Sequence, residues 1–128
     1  MRRSDLCWLV FAFAIGHASA AQPGAVSVSG SPGVSAAGSS FAPQLSRDGR
    51  SVVFTCHGKN LTKNSDLSPH LNVFRKDLTS GAIELISTSA DGSSGSRGNS
   101  AFYSVSSNGQ FVAFASAGDN LIDRKSVV

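Results

Sequence analysis

The stretch "LSRDGRSVVF" (45–54) returns as "VSSNGQFVAF" (105–114), sixty residues later. That echo decides the fold. Sliding the chain on itself by this interval brings Ser27, Ser29, Gly38, Ser40, Ser46, Gly49, Val52, Phe54, Gly58, Asn60 and Leu61 onto identical residues, 11 identities over 26–62 without a gap. Serine is abundant, so its matches weigh little. The glycine, phenylalanine, asparagine and leucine matches carry the argument. A fixed interval of this kind implies repeated supersecondary units that bury their faces by stacking.

Each unit reads as four strands. The first spans 41–46, and Asp48-Gly49 then offers a two-residue turn with φ > 0 at both positions. The second spans 51–56, where Val52, Phe54 and Cys56 alternate with Ser51, Val53 and Thr55. A polar loop, "HGKNLTKNSDLSPH" (57–70), leads to a third strand over 71–76. "DLTSG" (77–81) turns the chain into a fourth strand over 82–87. The second unit restarts with a strand over 101–106, the turn Asn108-Gly109 and a strand over 110–116. In that last strand Phe111, Ala113 and Ala115 alternate with Val112 and Phe114, so both faces are apolar. A strand of this kind is expected to be buried on both sides in a stack of sheets. Phe54 and Phe114 are expected to be equivalent core residues. Four-stranded antiparallel units set radially make a β-propeller, so the fold class is all-β.

The residues also resemble a known family. "SFAPQLSRDGRSVVF", "GKNL", "NSD" and "LNVFRKDLTSGAIELIS" are similar to the WD-like propeller repeat of the TolB type. That pattern joins a Ser-x-Asp-Gly-Arg-x-Val-x-Phe hairpin to a "DVFVRDLxTG" strand and turn. Asn72 stands here where an Asp is usual, Arg75-Lys76 replaces a Val-Arg step, and Asn108 replaces the hairpin Asp in the second copy. The resemblance covers 26–122. It implies a non-enzymatic, exported propeller that binds protein partners. The interval exceeds that of ordinary blades, and the excess lies in two loops, 57–70 and 88–99.

The N-terminus "MRRSDLCWLVFAFAIGHASA" (1–20) reads as an export signal. Arg2 and Arg3 form its basic region, Leu6 to Ile15 its apolar run, and Ala18-Ser19-Ala20 its small-residue cleavage site. The apolar run is too short to span a bilayer, so no stable membrane insertion is expected after cleavage. Cys7 leaves with the signal and has no lipidation triplet before it. Cys56 then has no internal disulfide partner and is expected to be buried in a strand. Pairing with His57 for catalysis is disfavoured, because neighbours on a strand point to opposite faces.

Residues 21–39 read as a strand and loop, in which Ala25–Ser29 aligns with Leu85–Ser89, the end of a fourth strand and its exit. They are expected either to close a propeller ring or to form a disordered leader. The first repeat occupies 40–99 and a partial second one 100–122, stopping mid-unit. About three repeats are needed for stability, so the chain is expected to be a propeller fragment of about one and a half blades. "DRKSVV" (123–128) breaks the repeat and equals the translation of a common sequencing-library adapter, so it is expected to be a non-native tail.

The formal charge is +3. Arg2, Arg3 and Asp5 belong to the signal, and no basic cluster marks a nucleic-acid stripe. Ser, His and Asp are present, but there is no Gly-x-Ser-x-Gly elbow. His57, His70 and Asp66 read as solvated loop residues. Asn60, Asn64, Asp66 and Asn72 offer oxygen ligands for a hard cation such as Ca²⁺, but only one is a carboxylate and the spacing is not that of an EF-hand. No cofactor is expected, and no Cys/His group suits zinc. "DGSSGSRGNS" (91–100) lacks the ending of a phosphate loop and reads as a connection between units. Asn60-Leu61-Thr62 matches a glycosylation sequon, which has meaning only in a eukaryotic secretory pathway.

These readings converge on a periplasmic or extracellular scaffold that presents loops to a protein or glycan and has no catalysis of its own. The alternative is the propeller part of a larger exported hydrolase or lyase.

Overall fold

The structure, a computed structural model, describes residues 34–62 and 69–121. The export signal, Cys7, the segment 21–33, Asn64, Asp66, Ile122 and the 123–128 tail lie outside the described residues. The described chain is all-β, without a helix. It forms β1 (Ser40–Leu45), β2 (Ser51–Cys56), β3 (Asn72–Asp77), β4 (Ile83–Leu85), β5 (Ser100–Val105) and β6 (Val112–Ser116). The first four make one antiparallel sheet in sequence order, and β5 pairs with β6 in a second. Strand β5 lies against β1, β2 and β3.

The sixty-residue echo survives in the backbone. Strand β1 pairs with β2 through Ser40↔Cys56, Phe41↔Thr55, Gln44↔Val53 and Leu45↔Val52. Strand β5 pairs with β6 through Ser100↔Ser116, Ala101↔Ala115, Ser104↔Ala113 and Val105↔Val112, the same register moved by the sequence interval. Both ladders break at the same place. Ala42 and Pro43 together oppose Phe54, and Phe102 and Tyr103 together oppose Phe114. This is a β-bulge, two residues against one. It also accommodates Pro43, which has no N–H to give a ladder.

The core sits on β2 and β3. Val52, Phe54, Cys56, Leu61, Phe74 and Leu85 form a buried cluster, with Ala36 and Ile83 packed against it. Phe54 and Phe74 face each other in the ladder, and their rings stack with centroids 5.8 Å apart. Such a pair adds about 0.5–1.5 kcal/mol beyond its burial. Val53 and Val73, which project to the opposite face, are also buried.

Four expectations need correction. The doubly buried strand is β2, whose six residues are all buried, and not the strand read over 110–116. That strand begins only at Val112, and Phe111, Ala113 and Ala115 are exposed while Val112 and Phe114 are half-buried. Among the described residues no strand lies on the outer edge of β6 to complete the enclosure. Phe54 and Phe114 are therefore equivalent in register but not in burial.

The turn also differs. At 46–49 and 106–109, a Gly N–H donates to the carbonyl of the Ser three residues before it, and only the glycine has positive φ (71° at Gly49, 69° at Gly109). This is a type I turn followed by a left-handed glycine, which a residue such as Asp or Asn can enter without strain. Finally, the fourth strand is shorter than 82–87, spanning Ile83–Leu85.

Candidate functional site

The bulges position the most distinctive surface. In both, the first extra residue adopts a left-handed conformation although it is not glycine: Ala42 and Phe102 each have φ 50°. Backbone of this kind costs about 1–3 kcal/mol and persists only where its surroundings hold it. Here β2 and β6 hold it from one side. Beside the bulge, the Phe41 carbonyl accepts from the Thr55 hydroxyl at 3.3 Å and from the Tyr103 hydroxyl at 3.5 Å. The Tyr103 bond ties the two bulged strands together.

Between these strands lies a groove of about 520 Å³, lined by Phe41, Ala42, Pro43, Gln44, Thr55, Leu71, Ala101, Phe102 and Tyr103. Phe102 is 92% exposed and Phe41 49%. Partial burial pushes the Tyr103 phenol up from its ordinary value, so it stays a protonated donor at neutral pH. Aromatic walls with few polar groups suit a ligand that offers flat apolar faces and scattered hydrogen-bonding atoms. Sequence reading missed this site. The signal was present only as aromatic residues near the centre of each first strand, because the bulge that aims them depends on pairing.

The residues singled out for chemistry are occupied with structure. Asn60 Oδ1 accepts from the Ala37 N–H at 2.7 Å, and its Nδ2 donates to the Ser35 carbonyl at 2.9 Å. Asn120 repeats this with the Arg97 N–H at 2.8 Å and the Gly95 carbonyl at 3.0 Å. Each is a clasp that fastens the strand's exit to the segment entering the unit. Asn72 is buried, and its Oδ1 accepts from the Ser87 hydroxyl and the Ser96 N–H while Nδ2 donates to the His70 carbonyl. A carboxylate there lacks the amide donor for His70, which explains why Asn suits this position. Cys56 is buried and His57 exposed. His57 instead sets its ring edge-to-face with Phe41, centroids 6.2 Å apart. Among the described residues no group of three or more His, Cys, Asp or Glu gathers to hold a metal.

Asp48 and Asn108 do the same work in their turns. Ser46 and Ser106 donate hydroxyl hydrogen bonds to them, and the N–H groups of Arg50 and Gln110 do likewise at 3.1 Å. The loop read at 88–99 holds a third copy. In "SADGSS" (89–94) the Ser89 hydroxyl donates to Asp91, the Ser93 N–H donates to Asp91, and the Ser94 N–H donates to the Ser89 hydroxyl oxygen. Gly92 has φ 72°, and Thr88 bridges Gly95 to make a small hairpin. The signal was legible as Ser-x-Asp/Asn-Gly, written at 46–49, 89–92 and 106–109, but only two copies share the sixty-residue interval. These hydrogen bonds hold Asp48 below the ordinary carboxylate range and take Asp91 down to about 2.

No family model, curated protein or solved structure matches this chain. Among the described residues no helix is long and apolar enough to cross a membrane.

Proposed function

We propose that this chain is an exported β-propeller repeat module of the TolB-like kind, a scaffold that binds a protein or glycan and performs no catalysis. The four-stranded sheet is one blade, and β5–β6 begins the next. The observation that carries the reading is the pair of bulged edge strands, β1 and β5, set side by side with an aromatic groove between them. Repetition supports it, since each added unit brings another bulged first strand to the same rim. Function then sits on a rigid frame, where positional precision costs least. The groove takes precedence over the loops at 57–70 and 88–99, because the 88–95 hairpin turns its polar groups upon itself. The hydrolase or lyase alternative has no observation in its favour among the described residues.

Glycan and peptide arrays probed with the exported protein and with its Phe102→Ala and Tyr103→Ala variants test this reading. Binding that both variants weaken supports the groove. Binding that neither changes removes it as the site, and turnover of an arrayed substrate favours the enzyme. A crystal structure in which successive units do not share a common axis would overturn the propeller itself.

A further inference from the structure

We infer that Asn108-Gly109 is a modification site: Asn108 deamidates spontaneously, and the isoaspartyl product opens the joint between the two repeat units whereas the aspartyl product keeps it closed. Of the asparagines in the sequence only Asn108 precedes glycine; Asn60, Asn72 and Asn120 precede leucine, valine and leucine, and Asn64 and Asn99 precede serine. The reaction begins when the backbone nitrogen of the following residue, stripped of its proton, attacks the side-chain amide carbon. Glycine has no side chain to obstruct that approach. Asn108 is exposed. So is Asp48, although the second unit's turn packs against its own, so exposure is a property of this turn.

The chemistry balances with water alone. The Gly109 nitrogen bonds to Asn108 Cγ, the bond from Cγ to Nδ2 breaks, and ammonia leaves with the proton that Gly109 gave up. A cyclic imide results, and water adds to one of its two carbonyls. Opening at Cγ restores the main chain with an aspartate side chain. Opening at the main-chain carbonyl routes the chain through Cγ and frees the α-carboxylate, which inserts one extra carbon between residues 108 and 109.

The folded turn slows the first step. The Gly109 N–H donates to the Ser106 carbonyl at 2.9 Å, so the nucleophile keeps its proton. The side chain it must reach is pinned at both ends. Asn108 Oδ1 accepts from the Ser106 hydroxyl at 2.8 Å and the Gln110 N–H at 3.1 Å, and its Nδ2 donates to Gln110 Oε1 at 2.9 Å. Ring closure therefore waits for the turn to open, as amide exchange waits for local opening.

The two products differ in fit. An aspartate fits, since Asp48 and Asp91 accept the matching hydroxyl and N–H bonds in their own turns. It loses only the exposed bond to Gln110 Oε1. The isoaspartyl chain does not fit. Gly109 has φ 69° and lies so close to the first unit that a Cβ on it would stand 2.6 Å from the Ser51 hydroxyl oxygen and 2.8 Å from Ser51 Cβ. Beside it the Ser107 carbonyl accepts from the Asp48 N–H at 3.0 Å. An added main-chain carbon drives Gly109 into Ser51 or draws Ser107 away from Asp48, and the contact between the turns is lost. None of these residues lines the groove, so the inference is independent of what the groove binds.

The test incubates the full chain in mildly alkaline buffer, folded and in urea, and maps it by peptide mass spectrometry with isoaspartyl methyltransferase labelling. Replacement of NH₂ by OH is expected at residue 108 ahead of every other asparagine, and about tenfold faster in urea than in the folded chain. Ser106→Ala and Gln110→Ala free the Asn108 side chain. Both are expected to speed the reaction in the folded chain and to leave the rate in urea unchanged; Gln110 is exposed, so its variant folds. Hydrogen exchange on the separated products then reads the joint. The Asp48 amide is expected to stay protected in the aspartyl product and in Asn108→Asp, and to lose protection in the isoaspartyl product. Deamidation in urea no faster at Asn108 than at Asn60 or Asn120 overturns the site. Equal rates in urea and in the fold overturn the protection by the turn, and equal protection of Asp48 in the two products overturns the effect on the joint.

Discussion

Cys56 and Ser116 hold the same place in successive units. The Ser40 hydroxyl donates to Cys56 Sγ at 3.1 Å, and the Ser100 hydroxyl donates to Ser116 Oγ at 2.8 Å. The N–H of Gly58 donates to the thiol sulfur, and that of Gly118 to the serine oxygen, both at 3.0 Å. The thiol is thus an acceptor in a serine's position. Cys56→Ser is expected to change stability by less than about 1 kcal/mol, because Ser40 and Gly58 keep an acceptor and the Gly38 carbonyl, to which the thiol donates at 3.6 Å, keeps a donor. Cys56→Val leaves the buried Gly58 N–H unsatisfied and is expected to cost about 1–3 kcal/mol. Urea unfolding of both variants checks this, and a larger loss for serine than for valine would remove the acceptor role.

Phe54 and Phe114 occupy equivalent ladder positions but unequal surroundings. Phe54 is buried against Phe74, whereas Phe114 is half-buried beside an open edge. Phe54→Ala is expected to cost about 3–5 kcal/mol and Phe114→Ala no more than about half of that. Equal losses in denaturant titrations would mean that β6 is covered on its outer side in solution.

The repeat was legible because glycine, asparagine and phenylalanine recur at one interval, and each has a local reason to be where it is. Gly49 and Gly109 supply the left-handed position of a turn, and Asn60 and Asn120 make the same clasp. Burial was less legible. Alternation marks two faces of a strand but does not say which face meets another sheet, so double burial was read for the strand over 110–116 and belongs instead to β2. The groove was not legible at all. It depends on the bulges, and a bulge is a property of two strands in register rather than of either alone.

Ala42 and Phe102 share a left-handed conformation that side chains resist. Glycine has no such resistance. Ala42→Gly is therefore expected to raise stability, by about 0.5–1 kcal/mol, after its greater loss of backbone freedom is set against the relieved strain. Phe102→Gly, which removes a ring that is almost wholly exposed, is expected to be neutral or stabilising while it abolishes recognition at the groove. Thermal unfolding and ligand binding measured on the same samples separate the two effects. Destabilisation by both substitutions would show that the bulge residues are not strained in solution.

Acid discriminates between the three copies of the turn. Asp91 ionises at about 2, chiefly because the Ser89 hydroxyl donates to its carboxylate, with the Ser93 N–H next, and Asp48 is lowered by the corresponding Ser46 bond. A carboxyl with a lowered value in the fold favours the folded turn wherever the unfolded chain is already ionised, and that advantage fades as the fold's own carboxylate takes up its proton. The 88–95 hairpin is thus expected to keep its full stability above about pH 4 and to lose it progressively toward about pH 2. The 106–111 turn, built on Asn108, has no such dependence. Titration by NMR, following the Asp91 carboxyl and the amide protection of Ser89 and Ser94, is expected to give a midpoint near 2. Asp91→Asn removes the pH dependence of those amides while preserving the turn, since Asn108 shows that an amide fills the same place. A midpoint near the ordinary value of 3.8 would show that the Ser89 and Ser93 bonds do not hold the carboxylate in solution.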